Sequence, residues 1–103
     1  MLSASCFAQD FPQGLVVVEF NASFNKANEV QWLNNLTDCE VERVDITVDS
    51  RWASEYKIVV VPTLVIFNNN EETKRFQANI MMTMEATLKE LQNAVDEIIM
   101  EAF

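Results

Sequence analysis

The chain has 103 residues, no histidine, a single glycine and a formal net charge of −9. Without histidine it lacks the usual general base and the usual zinc ligand, which argues against most hydrolases and zinc proteins. The negative charge repels phosphate backbones and anionic lipids, so we expect neither a nucleic-acid partner nor a membrane surface. Half of the residues are apolar, and we therefore predict one domain over residues 1–103 with its own core.

The two cysteines indicate a reducing compartment. Cys6 and Cys39 are too few for the disulfide framework of a small secreted protein, and their spacing matches no zinc or Cys-x-x-Cys motif. The first residues lack a basic, apolar leader, and no apolar run reaches the roughly 20 residues of a membrane helix. The sequence therefore predicts a soluble, cytoplasmic protein without a targeting segment, a metal or another cofactor.

The first part of the chain predicts a helix followed by a buried strand. A short helix is predicted over residues 3–10, and Pro12 and Gly14 end it because proline interrupts helices and glycine accepts a left-handed turn. Residues 15–20 are β-branched and almost continuously apolar, which is typical of a central strand covered on both faces.

Three further elements follow this strand. Val30, Leu33 and Leu36 recur at helical spacing and predict a helix over residues 25–36, with Asn25 able to cap the free amides at its start. Apolar and β-branched composition predicts strands over residues 40–46 and 63–67, separated by a short helix over residues 50–56 that begins with a serine cap.

The last part of the chain predicts a hairpin and a long helix. Asparagine tolerates positive φ, so residues 68–70 are predicted to form the turn, and residues 73–77 the returning antiparallel strand. A final helix is predicted from about Thr83, because apolar residues follow steps of three and four that form one stripe. The stripe consists of Met84, Leu88, Leu91, Val95 and Ile98.

This order of elements resembles the thioredoxin fold, and two local sequences make the resemblance specific. Residues 59–67, Val-Val-Val-Pro-Thr-Leu-Val-Ile-Phe, resemble the thioredoxin segment in which a cis-proline precedes an apolar strand, here preceded by Ala53-x-x-Tyr56-x-Ile58. Residues 16–24 resemble the strand and turn that carry the thioredoxin active site. The resemblance implies an α/β fold with a central mixed sheet of about four strands flanked by helices, the family's first edge strand being absent.

The active-site motif of that family is replaced in this chain. Asn25-Lys26-Ala27-Asn28 stands where the family has Cys-x-x-Cys, and an amide can neither attack a disulfide nor resolve one. By the resemblance, Phe24 stands at the active-site tryptophan, Glu19 at the buried acid and Arg43 at a lysine of the neighbouring strand. We therefore expect a redox-inactive member with no catalytic residue, in which Asn25 and Asn28 are caps or contact a ligand.

Two interpretations of Glu19 remain open at this stage. Burial of a carboxylate in an apolar strand raises its pKa, which is how functional acids are often recognised. In the family this acid transfers a proton to a buried cysteine, a partner that this motif lacks. The other interpretation is a buried ion pair with Arg43, which is costly to break from one side only.

A peptide groove is the second feature that the resemblance implies. In thioredoxins the backbone just before the cis-proline pairs with an extended substrate strand. Phe24, Val61, Pro62 and Ala78 would form the apolar groove here, and Ala78 replaces a preferred glycine and narrows the space. The alternative is that Pro62 serves only the folding of its own loop.

Three functions are therefore compatible with the sequence. The first is a binding module that holds a protein or peptide partner in the cis-proline groove. The second is an oxidoreductase that uses Cys6 or Cys39, which the acidic residues near both thiols disfavour. The third is a structural subunit of a larger assembly, with Met81, Met82, Met84 and Met100 either on a contact surface or in the core. Loss of the outer strand would also expose residues 40–46 to pairing in a homodimer.

Overall fold

A four-stranded mixed sheet organises residues 11–102, which are the residues that the computed structural model describes. Its strands are β1 (Leu15–Asn21), β2 (Glu40–Asp45), β3 (Thr63–Asn68) and β4 (Glu71–Gln77), in the order β2-β1-β3-β4. β1 runs parallel to β2 and antiparallel to β3, which is antiparallel to β4. The predicted α/β fold class is confirmed. The helix predicted over residues 3–10, and Cys6 with it, lie outside the described residues.

Both faces of the sheet are covered, because β1 sends alternate side chains to opposite sides. Val16, Val18 and Phe20 pack beneath helix α1 (Arg51–Tyr56), among the rings of an aromatic cluster. Val17 and the matching positions of β3 pack beneath helix α2 (Leu88–Glu101). The prediction of a central, fully buried first strand is correct. The aromatic cluster consists of Phe11, Phe20, Trp52, Tyr56 and Phe67.

The helix predicted over residues 25–36 does not form, and this prediction was wrong. Two short 3₁₀ helices, Ser23–Asn28 and Leu33–Asn35, take its place, with extended backbone at Glu29 between them. The Val30 amide donates to Glu19 (2.8 Å), and the Val30 carbonyl accepts from Arg43 (2.9 Å), so contacts with the sheet replace helical hydrogen bonds. Steps of three residues between buried side chains also match the period of a 3₁₀ helix.

The short helix over residues 50–56 forms with Ser50 at its N-cap position, as predicted, whereas the last helix begins later than the sequence predicts. The side chain of Ser50 makes no capping hydrogen bond, and the Asp49 carboxylate accepts from the Arg51 amide instead (2.9 Å). α2 begins at Leu88, where Thr87 and Glu90 form a capping box. Its two bonds are Glu90 N–H to the Thr87 hydroxyl (3.2 Å) and Thr87 N–H to the Glu90 carboxylate (2.9 Å). Such a box satisfies two free amides, so it sets the first turn more firmly than the apolar stripe.

The predicted asparagine hairpin forms, but its turn is limited to Asn69 and Asn70, and β4 begins two residues earlier than predicted. Asn69 and Asn70 have φ of 54° and 68°, the left-handed backbone that a two-residue hairpin turn requires. The Asn69 side chain also accepts from the amide of Gly14, whose own φ is 87° (2.8 Å). Among the described residues, no helix has both the length and the apolar composition needed to cross a membrane.

Candidate functional site

Three loops meet at one end of the sheet. The end of β1 lies beside the start of β3, with Phe20 opposite Thr63, and beside the end of β2, with Asn21 opposite Asp45. Hence the segments that follow β1 and β2 and the Val61–Pro62 segment that precedes β3 converge. The peptide bond between Val61 and Pro62 is cis. The carboxyl ends of the parallel strands thus form the edge at which α/β proteins commonly bind ligands.

The side chain of Asn25 is the centre of this convergence. It is 4% exposed, and its Nδ2 donates to the side-chain oxygen of Asn21 (3.1 Å) and to the carbonyls of Met82 (3.1 Å) and Val61 (3.5 Å). Its Oδ1 accepts from the Asn28 side chain (2.9 Å). We predicted that Asn25 caps a helix or contacts a ligand. Instead, its side chain is the common hydrogen-bond partner of three chain segments.

The same two asparagines bear on redox chemistry. A hydrogen bond between amides joins the positions at which the resemblance expects two thiols. The segment that carries them is a 3₁₀ helix of six residues and not the start of a longer α-helix, whose dipole would lower the pKa of a thiol. Among residues 11–102, this site therefore has neither a thiol nucleophile nor an α-helix that would activate one.

Glu19 is buried beneath the convergence and is bound on both of its oxygens. Arg43 donates from Nη1 to one oxygen, and the Val30 amide donates to the other (2.8 Å). Burial raises the pKa of the 1% exposed carboxyl, while the Val30 amide and the Arg43 charge oppose that rise. Glu19 and Arg43 both line a cavity of about 210 Å³ that extends to the exposed Lys26. Both groups that bind the Glu19 carboxylate are hydrogen-bond donors, a guanidinium and a backbone amide. This geometry therefore favours the buried ion pair over a proton-transfer acid.

The raised pKa of Glu19 predicts a measurable pH dependence. An acid whose pKa is higher in the folded chain contributes stability below its unfolded pKa and loses it as the pH rises through the folded one. We therefore expect the wild-type protein to lose stability relative to Glu19→Gln as the pH rises above about 4.3, the usual value for glutamate. Urea unfolding of both proteins at several pH values measures this difference in stability. A difference that grows in favour of the wild type as the pH rises would contradict the raised pKa of Glu19.

An apolar groove of about 270 Å³ lies beside the site. Phe24 is 74% exposed at this groove and Ile80 is 96% exposed, whereas Val61 is buried in its wall. Of the predicted groove residues, Phe24 and Val61 line it, while Pro62 and Ala78 are joined by a bond from the Ala78 amide to the Pro62 carbonyl (3.1 Å). The lining residues are Phe24, Ile46, Ile58, Val59, Val60, Val61, Asn79, Ile80 and Met82.

The sequence prediction missed the wall that residues 79–83 supply. The Asn79 side chain accepts from the amides of Met81 (2.8 Å) and Thr83 (3.2 Å), which folds the segment into a tight loop. Met82 has a φ of 60° in that loop. Ile80 and Met81 consequently point to solvent. An apolar run between an edge strand and a helix was the available signal, because such a run is unfavourable on a surface without a function.

A second polar turn closes the site beside β2. The Asp45 carboxylate accepts from the hydroxyls of Ser23 and Thr47, and these bonds lower the pKa of Asp45. The Ser23 and Thr47 hydroxyls are themselves 2.9 Å apart. The loops after β1 and β2 are therefore tied together by an acid that stays ionised.

The described cysteine is remote from this site. Cys39 precedes β2 and is half-buried near the amino ends of β1 and β2, the opposite end of the sheet. Burial raises the pKa of its thiol, and the charges of Asp38 and Glu40 raise it further. Since the thiolate is the reactive form, this environment suppresses disulfide chemistry.

The sheet order and the cis-proline loop define a thioredoxin-like fold, and solved structures agree. A mutant thioredoxin from Halobacterium salinarum aligns with a TM-score of 0.65 at 22% identity, covering 94% of this chain and 83% of its own. Thioredoxin from Schistosoma mansoni aligns at 0.66 and 18% identity, with coverage of 92% and 89%. Thioredoxin from Nicotiana alata aligns at 0.62 and 22% identity, with coverage of 93% and 81%. No protein-family model and no curated protein matches the sequence.

Proposed function

We propose that this chain is a redox-inactive thioredoxin-like binding module, and that the groove beside Pro62 holds an extended peptide segment of a partner protein. The observation that carries the proposal is the apolar surface around the groove. Phe24, Val59, Ile80 and Met81 are each at least 73% exposed there. Exposed apolar side chains concentrated at one concave site are typical of an interaction surface.

The backbone beside the groove suits an extended ligand. Within residues 11–102, the amides of Val59, Val60 and Val61 have no backbone acceptor. An extended peptide can pair with such amides while its side chains enter the apolar groove. This pairing supplies affinity through the main chain and leaves the groove to select side chains.

The charge of the chain indicates the composition of that peptide. The nine residues that line the groove are uncharged, whereas the chain as a whole carries −9. A large negative net charge attracts cationic partners and repels acidic ones. We therefore infer an apolar peptide segment flanked by lysine or arginine.

Selection from a random-peptide display library tests the binding function. We expect enriched peptides to contain large apolar side chains and basic flanks, and we expect Phe24→Ser to weaken their binding about tenfold, since it removes a ring from the groove. Met100→Ser is the matched control, because Met100 is also 73% exposed but lies at the end of α2. Equal enrichment on the wild type and on Phe24→Ser would contradict the proposal.

An insulin-reduction assay tests the absence of redox activity. We expect no turnover above background, because the groove end of the sheet carries asparagines and the Cys39 pKa is raised. The variants Cys6→Ser and Cys39→Ser control for adventitious thiols. Turnover that depends on either cysteine would contradict this expectation and support the oxidoreductase alternative.

Pairing of two copies through β2 stays a prediction. β2 lies at an edge of the described sheet, and its Glu40 and Glu42 are exposed. Acidic side chains on an edge strand oppose such pairing. Light scattering over a range of concentrations decides the question, and a constant monomer mass would exclude the homodimer.

A further inference from the structure

Two of the methionines in the described residues lie in or directly beside the groove. Met82 lines it and is 38% exposed, and the neighbouring Met81 is 73% exposed on the same loop. Met84 packs against the core beneath α2, and Met100 lies near the end of that helix. Thioether sulfur is thus concentrated at the site from which the thiols are absent.

Hydrogen bonds fix the backbone that presents these two side chains. The Met82 carbonyl accepts from Asn25 (3.1 Å), and the Met82 amide donates to the Asn79 carbonyl (3.0 Å). The Asn79 side chain also holds the Met81 amide (2.8 Å). The backbone at Met81 and Met82 is therefore held beside the groove.

We propose that Met81 and Met82 are oxidation sites, and that a peroxide weakens peptide binding by converting them to sulfoxides; this inference rests on the proposed function. In the reaction, a sulfur lone pair attacks one peroxide oxygen and the O–O bond breaks. The oxygen stays on sulfur, and the other oxygen leaves as water after proton transfer. The thioether loses two electrons, and the peroxide is reduced by the same two.

The chemistry of the groove explains why oxidation weakens binding. A sulfoxide is a strong hydrogen-bond acceptor, whereas the residues around Met82 in the groove are apolar except for Asn79. The Asn79 amide group donates to Glu85 (2.9 Å). That bond uses one of the two N–H groups of Asn79, so a bound peptide would bury the new oxygen where the lining side chains offer a single N–H. We expect this to correspond to about a tenfold loss of affinity.

Hydrogen peroxide treatment followed by a binding assay tests this inference. The probe is the peptide selected from the display library, and binding is measured by fluorescence anisotropy before and after treatment. We expect about a tenfold loss for the wild type and for Met100→Leu, and little loss for the double variant Met81→Leu/Met82→Leu. Leucine keeps the apolar volume but removes the sulfur.

The double variant also separates this effect from general damage. It retains Met84 and Met100, so an equal loss of binding in the double variant would place the effect elsewhere and overturn the inference. Tandem mass spectrometry localises the added oxygen, and we expect the bound peptide to slow oxidation of Met82 but not of Met100. An unoxidised wild type that binds no selected peptide contradicts the proposed function, whereas binding that oxidation leaves unchanged contradicts only this inference.

Discussion

Replacing Arg43 with methionine is expected to lower the free energy of unfolding by about 2–3 kcal/mol at neutral pH. Methionine keeps much of the apolar stem but leaves the Glu19 carboxylate without its cation and the Val30 carbonyl without its donor. Removing one partner of a buried pair is costly because the other charge stays desolvated. This loss of stability is at or below the lower end of the range that is usual for breaking a buried ion pair, because the Arg43 side chain is 34% exposed and water can partly replace it.

A double variant distinguishes the buried charge from a loss of packing. Glu19→Gln in the Arg43→Met background removes the uncompensated charge, so we expect it to restore most of the lost stability. Arg51→Met is the matched control, since the Arg51–Asp49 pair is largely exposed and such a pair contributes little to stability. Urea denaturation measures all four proteins. An Arg43→Met variant as stable as Arg51→Met would show that Glu19 does not depend on this cation.

The same pair should respond to acid. Without Arg43, one of the causes that lower the pKa of Glu19 is gone, so that pKa rises further. A raised acid pKa means that stability is retained below it and lost as the pH rises through it. We therefore expect the defect of Arg43→Met to shrink as the pH falls towards 4, about the usual pKa of a glutamate. A defect that persists unchanged in acid would point to lost packing.

The second large effect is expected for Asn25→Asp, at about 3 kcal/mol at neutral pH. The substitution changes almost no volume but replaces the donating Nδ2 with an oxygen. That oxygen would face the carbonyls of Met82 and Val61 and the side-chain oxygen of Asn21. A buried charge opposite three acceptors keeps only the Asn28 side chain as a donor, so both the poorly compensated charge and the lost bonds destabilise the fold.

Asn34→Asp is the matched control for this variant. Asn34 is exposed, and the same chemical change there should alter stability by less than about 0.5 kcal/mol. Urea denaturation compares the two. Amide hydrogen exchange adds a local readout, because loss of the Asn25 bond to Met82 should accelerate exchange in residues 79–83. Similar stability for both variants would show that Asn25 does not hold the three segments together.

The sequence predicted the sheet well because its signals are local. The almost continuously apolar run of β1 indicated a strand buried on both faces, and the asparagines at the end of β3 indicated a tight turn. Alternation and turn chemistry each depend on a few neighbouring residues, so a single sequence displays them. The Thr87–Glu90 capping box was equally local, and it was a signal that the apolar stripe obscured.

The site could be predicted only in part. The replacement of both thiols by asparagines is visible in the sequence, but the role of Asn25 depends on Met82, which lies 57 residues away. The wall formed by Ile80 and Met82 likewise becomes recognisable only when the Asn79 loop places it beside Phe24. Contacts between residues so far apart carry no periodic signal.

The sequence by itself determined the order of the strands along the chain, the burial of β1 and the presence of asparagines where the resemblance expects two thiols. The tertiary structure decided that Val30 bonds to Glu19 and Arg43, which replaced a predicted helix with two short 3₁₀ turns. The physical reason is that a short helix is only marginally stable by itself, so buried side-chain donors and acceptors from the sheet can outcompete its backbone bonds. Tertiary contacts of the same kind bury the Asn25 side chain between three chain segments and leave the groove beside it open.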